Sequence, residues 1–163
     1  DWINSWSKNK IVNIRSPRAT RPWQHVLEPL SGYLSLGMHL QLNFKKLNEF
    51  QDFNFGPKPK FNITVEKLIS DLANNLELDL KIPYEITDEI PFDEAKLLKL
   101  NCEKAAIKLN WEPVLEYSET VDFTGQWYSN FIKDPSLLLQ TTKDQIINYV
   151  KIAKSRNISW TRN

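Results

Sequence analysis

Residues 15–33 read RSPRATRPWQHVLEPLSGY, and this segment carries the side chains best suited to chemistry. Arg15, Arg18 and Arg21 are permanently charged, and a guanidinium offers two parallel N–H donors to a phosphate or pyrophosphate. Trp23 supplies a flat apolar wall for a sugar or base, while Gln24 and His25 supply donors and acceptors for hydroxyls. A helix start just beyond adds partial positive charge to the same place. On the residues alone two readings stay open. One is an anion site at the mouth of a helix; the other is solvated arginines beside a tryptophan that plugs a core.

Other chemistry is easier to exclude. The chain has four glycines, Gly32, Gly37, Gly56 and Gly125, and none are spaced as a dinucleotide fingerprint or a P-loop. A phosphate cradle of that kind is therefore not built from these residues. The single Cys102 rules out an internal disulfide framework and suits a reducing compartment. A net charge of +1 argues against a general nucleic-acid or membrane-surface binder. No apolar run reaches membrane-spanning length, and DWINSWSKNK has no signal-peptide core. The sequons at Asn62 and Asn157 then read as chance matches, and the expected location is the cytoplasm.

The elements that must position the segment follow from pattern. At 163 residues, 41% hydrophobic and 25% charged, the chain suits one domain with a core. Trp2, Ile3 and Trp6 stand at helical spacing, and KIVNIR at 10–15 alternates as a strand does. Pro17 and Pro22 keep the next loop irregular. A helix is predicted from about Val26 to Leu47, with Leu30, Leu34, Met38 and Leu42 along one face. FNFGP at 53–57 reads as a short strand. Asn62 or Thr64 caps a helix carrying Leu68, Ile69, Leu72 and Leu76.

Leu78, Leu80 and Ile82 alternate, as do Leu98 and Leu100, and Asn101 caps a short helix reaching Leu109. Ser118 opens a helix with Val121, Gly125, Tyr128 and Ile132 on one stripe. Thr142 with Gln145 forms a capping box for the last helix, whose apolar face is Ile146, Tyr149, Val150 and Ala153. The strands are few, short and never joined by a tight hairpin, so they are expected to add to a parallel sheet supplied by other chain segments. In isolation the chain looks α+β; as part of something larger it reads as α/β.

The motifs also resemble a family. IRSPRATRPWQHVLEPLSGYL is similar to the I-R-N-P-x-A-x-R-P-W-Q-H-V-L-E-P-L-x-G-Y segment of CDP-glucose 4,6-dehydratases, which are extended short-chain dehydrogenase/reductase proteins. FNFGP, EAKLLKLNCEKAAIKLNWEP at 94–113, QWYSNF and TTKDQIINYV resemble later segments of the same family, in order and at compatible spacings. DWINSW resembles the family's P-D-x-x-R-A-W helix with its start missing.

The resemblance implies that residues 1–163 form a single, incomplete nucleotide-sugar-binding region, the C-terminal substrate-binding part, with the Rossmann core and its NAD site upstream. No tyrosine here is followed four residues on by lysine; Tyr33 precedes Gly37, Tyr84 precedes Asp88 and Tyr128 precedes Ile132. The isolated chain is therefore expected to be inactive and, with faces made for another half exposed, to self-associate. The implied reaction converts CDP-glucose to CDP-4-keto-6-deoxyglucose and water, with NAD as cofactor, a CDP-hexose as substrate, no nucleic-acid or membrane partner, and a homo-oligomeric intact enzyme. It serves deoxysugar biosynthesis of the kind that feeds O-antigen lipopolysaccharide.

No catalytic residue, cofactor ligand or metal ligand is assigned within the chain. By the resemblance, Arg21 takes the pyrophosphate, Trp23, Gln24, His25 and Arg15 flank it, and Glu94 lies in a loop over the nucleotide. Two positions depart from the pattern: Asp93 stands where the family has His, and Asn101 where it has Asp. A related enzyme on another nucleotide sugar and a standalone binding module remain as alternatives.

Overall fold

In a computed structural model, residues 2–8, 10–42, 52–76, 84–87 and 97–162 are described. The elements are α1 (Trp2–Trp6), β1 (Val12–Ile14), α2 (Leu27–Leu42), α3 (Val65–Asn75), β2 (Tyr84–Ile86), α4 (Glu103–Leu109), α5 (Tyr117–Lys133) and α6 (Leu138–Ser155). Short 3-10 turns precede α6 at Pro135–Leu137 and close the chain at Ser159–Thr161. The described residues are mostly helical, with β1 and β2 paired in parallel as Val12 to Tyr84 and Ile14 to Ile86. A parallel pair needs a long crossover, and here α2 and α3 lie between the strands.

Where periodicity was strong, the structure agrees with it. Val12 and Ile14 point inward while Asn13 faces out, as alternation requires. Thr64 caps α3, its Oγ1 accepting from the Lys67 N–H at 3.1 Å, and Leu68, Ile69, Leu72 and Leu76 are buried with Trp6 and Val121. A second cluster gathers Val114, Leu115, Phe123, Tyr149, Ala153 and Ile158. A third holds Phe55, Ala105, Leu109 and Trp111.

Four expectations are corrected. FNFGP is irregular, because the Phe53 and Phe55 rings serve the third cluster rather than a ladder. Residues 98–100 are not a strand; among the described residues a bridge joins Thr20 to Leu97, and Thr20 also bridges Thr64. Thr142 does not cap α6, which begins four residues earlier. Asp134 accepts from the Ser136 N–H at 3.0 Å, and Pro135 starts the preceding turn with its φ already set, so the chain is helical before Thr142 arrives. Finally, the apolar stripe of α2 is its exposed face, whereas Glu28, Gly32 and Ser35 are buried. The helix is described as far as Leu42; the rest of the predicted helix and the predicted strand at residues 78–82 lie outside the described residues.

The inversion of α2 has a physical cause. A Cβ on Gly32 would sit 2.3 Å from the Phe55 ring, so only glycine lets that ring pack on the helix. Phe55 is held edge-on by Trp111 at 4.9 Å and cannot step aside cheaply. Gly32→Ala is expected to destabilise the chain by about 1–3 kcal/mol, the cost of overpacking. Urea denaturation checks this, and an unchanged midpoint would contradict the packing described.

Candidate functional site

The motif segment leaves β1 as an exposed bend at Arg15 and enters α2 through five irregular residues, 21–25. Its backbone is fixed from several sides. The Trp23 indole N–H donates to the Ile63 carbonyl at 3.1 Å, and its ring lies 6.1 Å from that of Trp2. The Gln24 Nε2 donates to the Phe55 carbonyl at 2.9 Å. Buried His25 meets Phe123 edge-on, and its Nδ1 accepts from the Leu27 N–H at 3.4 Å. That contact leaves the ring proton on Nε2. Burial lowers the His25 pKa to about 4, so the imidazole is neutral at physiological pH and offers no charge to an anion.

Arg21 stands apart from these struts. It lines a narrow cleft of about 10 Å³ with Lys58, which precedes the turn at 59–60, and with Lys99. The Arg21 Nη1 donates to the Thr20 carbonyl at 2.9 Å, and the Lys99 Nζ donates to the Pro59 carbonyl at 3.2 Å. Among the described residues that line the cleft none is acidic. Lys58 reaches Glu116 at 2.5 Å and Lys60 reaches the same carboxylate at 3.0 Å, and their hydrogen bonds hold the Glu116 pKa below its usual value. Arg21, Lys58 and Lys99 thus line one hollow, and Glu116 pairs the Lys58 ammonium. A basic lining of this kind suits an oxyanion, and a hollow with room for about one water has to widen to take one.

Gln24 and His25 line a different hollow, of about 380 Å³, with Trp127, Tyr128, Thr124 and Thr142. The sequence-predicted residues are therefore split between a cationic cleft and a mostly neutral, aromatic-walled hollow. Arg15 is at the end of β1 and Trp23 is in the core around α3, and neither lines the cleft. Glu94 and Asp93 lie outside the described residues. Asn101 does what a capping residue does: its Oδ1 accepts from the Glu103 N–H at 2.8 Å as α4 begins. Lys58 and Lys99 were missed by sequence reasoning. The KPK run was the available signal for the first, since alternating prolines fix a lysine on a stiff turn.

The rest of the motif serves a buried polar node. Glu28 is 1% exposed; its carboxylate accepts from the Val114 and Leu115 N–H groups at 3.0 and 2.6 Å and from the Tyr149 hydroxyl at 2.9 Å. One turn on, Ser31 accepts from the Trp111 indole at 2.9 Å. Burial raises the Glu28 pKa, and the donors pull against it. Glu28, Trp111 and Tyr149 come from three separate motif segments and meet here.

NAD, implied by the resemblance, does not fit these residues. Gly32, Gly56 and Gly125 face the side chains of Phe55, Leu100 and Asn75, and Gly37 lies inside α2, so none opens a phosphate cradle at a helix start. Among the described residues no helix is long and apolar enough to cross a membrane.

A largely helical chain with a small parallel sheet and a cationic cleft is consistent with part of a short-chain dehydrogenase/reductase-type domain. In sequence the chain is 34% identical over 150 residues to CDP-glucose 4,6-dehydratase of Salmonella typhimurium (strain LT2), and it is a relative of that enzyme over this region. The alignment covers 92% of the chain and the C-terminal 40% of the relative, so the chain spans less than half of that protein's length. No protein-family model matches the chain.

Proposed function

We propose that this chain holds the nucleotide diphosphate of a CDP-hexose for a 4,6-dehydratase, the hydride chemistry being carried by residues outside it. The observation that supports the reading is that Arg21, Lys58 and Lys99 line one cleft, which at about 10 Å³ has to widen to admit a pyrophosphate. Arg21 binds the pyrophosphate, with Lys58 released from Glu116 to share the charge. Arg15 adds long-range attraction from the end of β1. Trp23 fixes the backbone between the two hollows. Gln24 and His25 lie three and four residues from Arg21, at most about 11 and 14 Å of extended chain, and present neutral hydrogen-bonding groups to hydroxyls of the same ligand. The role of the whole is positioning: it brings the hexose to a reacting centre in fixed geometry.

Calorimetry of CDP, UDP, dTDP and GDP against the chain tests the reading. CDP is expected to bind tightest, and a preference for another base would sink the assignment. Arg21→Ala is expected to weaken binding on the order of 10- to 100-fold, as loss of a charge-assisted bond does. An unchanged affinity would place Arg21 away from the ligand.

A further inference from the structure

Glu116 stands just before α5, and its backbone is fixed there. Its N–H donates to the Glu119 Oε2 at 2.7 Å, and its carbonyl accepts from the Thr120 N–H at 3.0 Å. Its carboxylate oxygens are divided between two cations. Oε1 takes the Lys58 ammonium at 2.5 Å, and Oε2 takes that of Lys60 at 3.0 Å. One negative charge thus holds two positive ones. Of the two lysines, Lys58 lines the cleft with Arg21 and Lys99, and Lys60 does not.

The two lysines also differ in what holds them. Prolines at 57 and 59 set φ on both sides of Lys58, and the Lys58 carbonyl accepts from the Phe61 N–H at 3.1 Å. The backbone is therefore stiff, while the side chain is a flexible four-carbon stem. Lys60 is steadied on the far side of Glu116, its ammonium 5.0 Å from the centre of the Phe61 ring. Arg156 is committed to Glu119, at 2.7 and 2.8 Å. When Lys58 swings away, Glu116 still has Lys60 to balance its charge. The pair that breaks is 29% and 32% exposed, so breaking it costs no more than about fivefold in an equilibrium.

We infer that Glu116 is a built-in competitor for the ligand of the cleft: it holds the Lys58 ammonium until a diphosphate displaces it, and Lys60 then stays behind as its counterion. The inference deepens the reading of the cleft as a diphosphate site and rests on it. The carboxylate makes the cleft selective by charge, because a neutral ligand has nothing with which to draw an ammonium off a carboxylate, whereas a pyrophosphate does. Since Lys58 is part of the wall, the ligand that takes its ammonium also moves that wall, as so narrow a hollow requires.

Calorimetry of inorganic pyrophosphate against the full chain tests this through double-mutant cycles. Glu116→Gln is expected to tighten binding about two- to fivefold, because Lys58 is then free at the outset. In the Lys58→Met background the same change is expected to be silent, there being no lysine to release. Lys60→Met is expected to weaken binding by a similar factor, since Glu116 then holds Lys58 more firmly, and to lose that effect in the Glu116→Gln background. Glu116→Ser, which keeps a good N-cap without the charge, repeats the cycles if Glu116→Gln does not fold. Equal gains from Glu116→Gln with and without Lys58 would overturn the inference, because a charge acting through space needs no lysine. So would an unchanged or weaker affinity in Glu116→Gln. No binding by the parent, or binding that Arg21→Ala leaves intact, would instead overturn the reading of the cleft and the inference with it.

Discussion

Glu28→Ala is expected to cost the chain about 3–5 kcal/mol, enough to remove most of the stability of a domain of this size. The carboxylate is almost fully buried and is the acceptor for the Val114 and Leu115 amides and the Tyr149 hydroxyl. Truncation leaves the Val114 and Leu115 amides without that acceptor, while the Tyr149 hydroxyl keeps Ser31 Oγ at 3.1 Å, and each orphaned amide costs about 1–3 kcal/mol. Glu28→Gln keeps the shape and one accepting oxygen but turns an NH2 toward a second donor, so roughly half the loss is expected. Urea denaturation followed by the fluorescence of the six tryptophans, Trp111 of the node among them, separates the three proteins. An alanine variant within 1 kcal/mol of the parent would show that the node does not hold α2 to the 111–115 loop and α6.

The second large effect is acid sensitivity at His25. Its pKa stands at about 4 in the folded chain against an ordinary 6.5, because burial disfavours the imidazolium. As pH falls through 6.5 the unfolded chain takes up a proton that the folded chain refuses until about pH 4. Stability present above pH 6.5 is therefore lost across that window, by about 3 kcal/mol at most. Glu28 acts with the opposite sign, since its raised pKa makes the folded state bind a proton more readily than the unfolded chain as pH falls. The contribution of His25 is isolated by the difference between the parent and His25→Gln, measured as unfolding free energy from pH 4 to 7.5. Parallel profiles for the two proteins would mean that the imidazole is protonated in place and that burial does not set its pKa.

These two residues explain why the RPWQHVLEP run is so distinctive. Its letters do several jobs at once: Arg21 faces a cleft, Trp23 and Gln24 tie down neighbouring loops, His25 fills a buried contact, and Glu28 anchors the 111–115 loop. The membership of the segment in one motif was legible from its sequence. Its division of labour was not, because burial and partners decide whether an indole or an imidazole is a wall for ligand or a strut for backbone. Thr142 and Gln145 show the same limit from the other side. Their spacing satisfies a capping box, yet Asp134 and Pro135 start the helix first, and the Thr142 hydroxyl instead accepts from the Trp127 indole at 3.0 Å.

What the sequence determined by itself was whatever depends on neighbours along the chain: the Thr64 cap, the amphipathic face of α3, the alternation of β1, and the order of motifs shared with the Salmonella enzyme. Only the tertiary structure decided which face of α2 turns inward. Periodicity said that Leu30, Leu34, Met38 and Leu42 share a stripe but could not say what lies opposite. The inward face was chosen by long-range partners instead, the Phe55 ring against Gly32 and the Val114 and Leu115 amides against Glu28. Two backbone donors and a hydroxyl on a buried carboxylate outweigh the apolar stripe as a local signal, and the leucines are left facing outward.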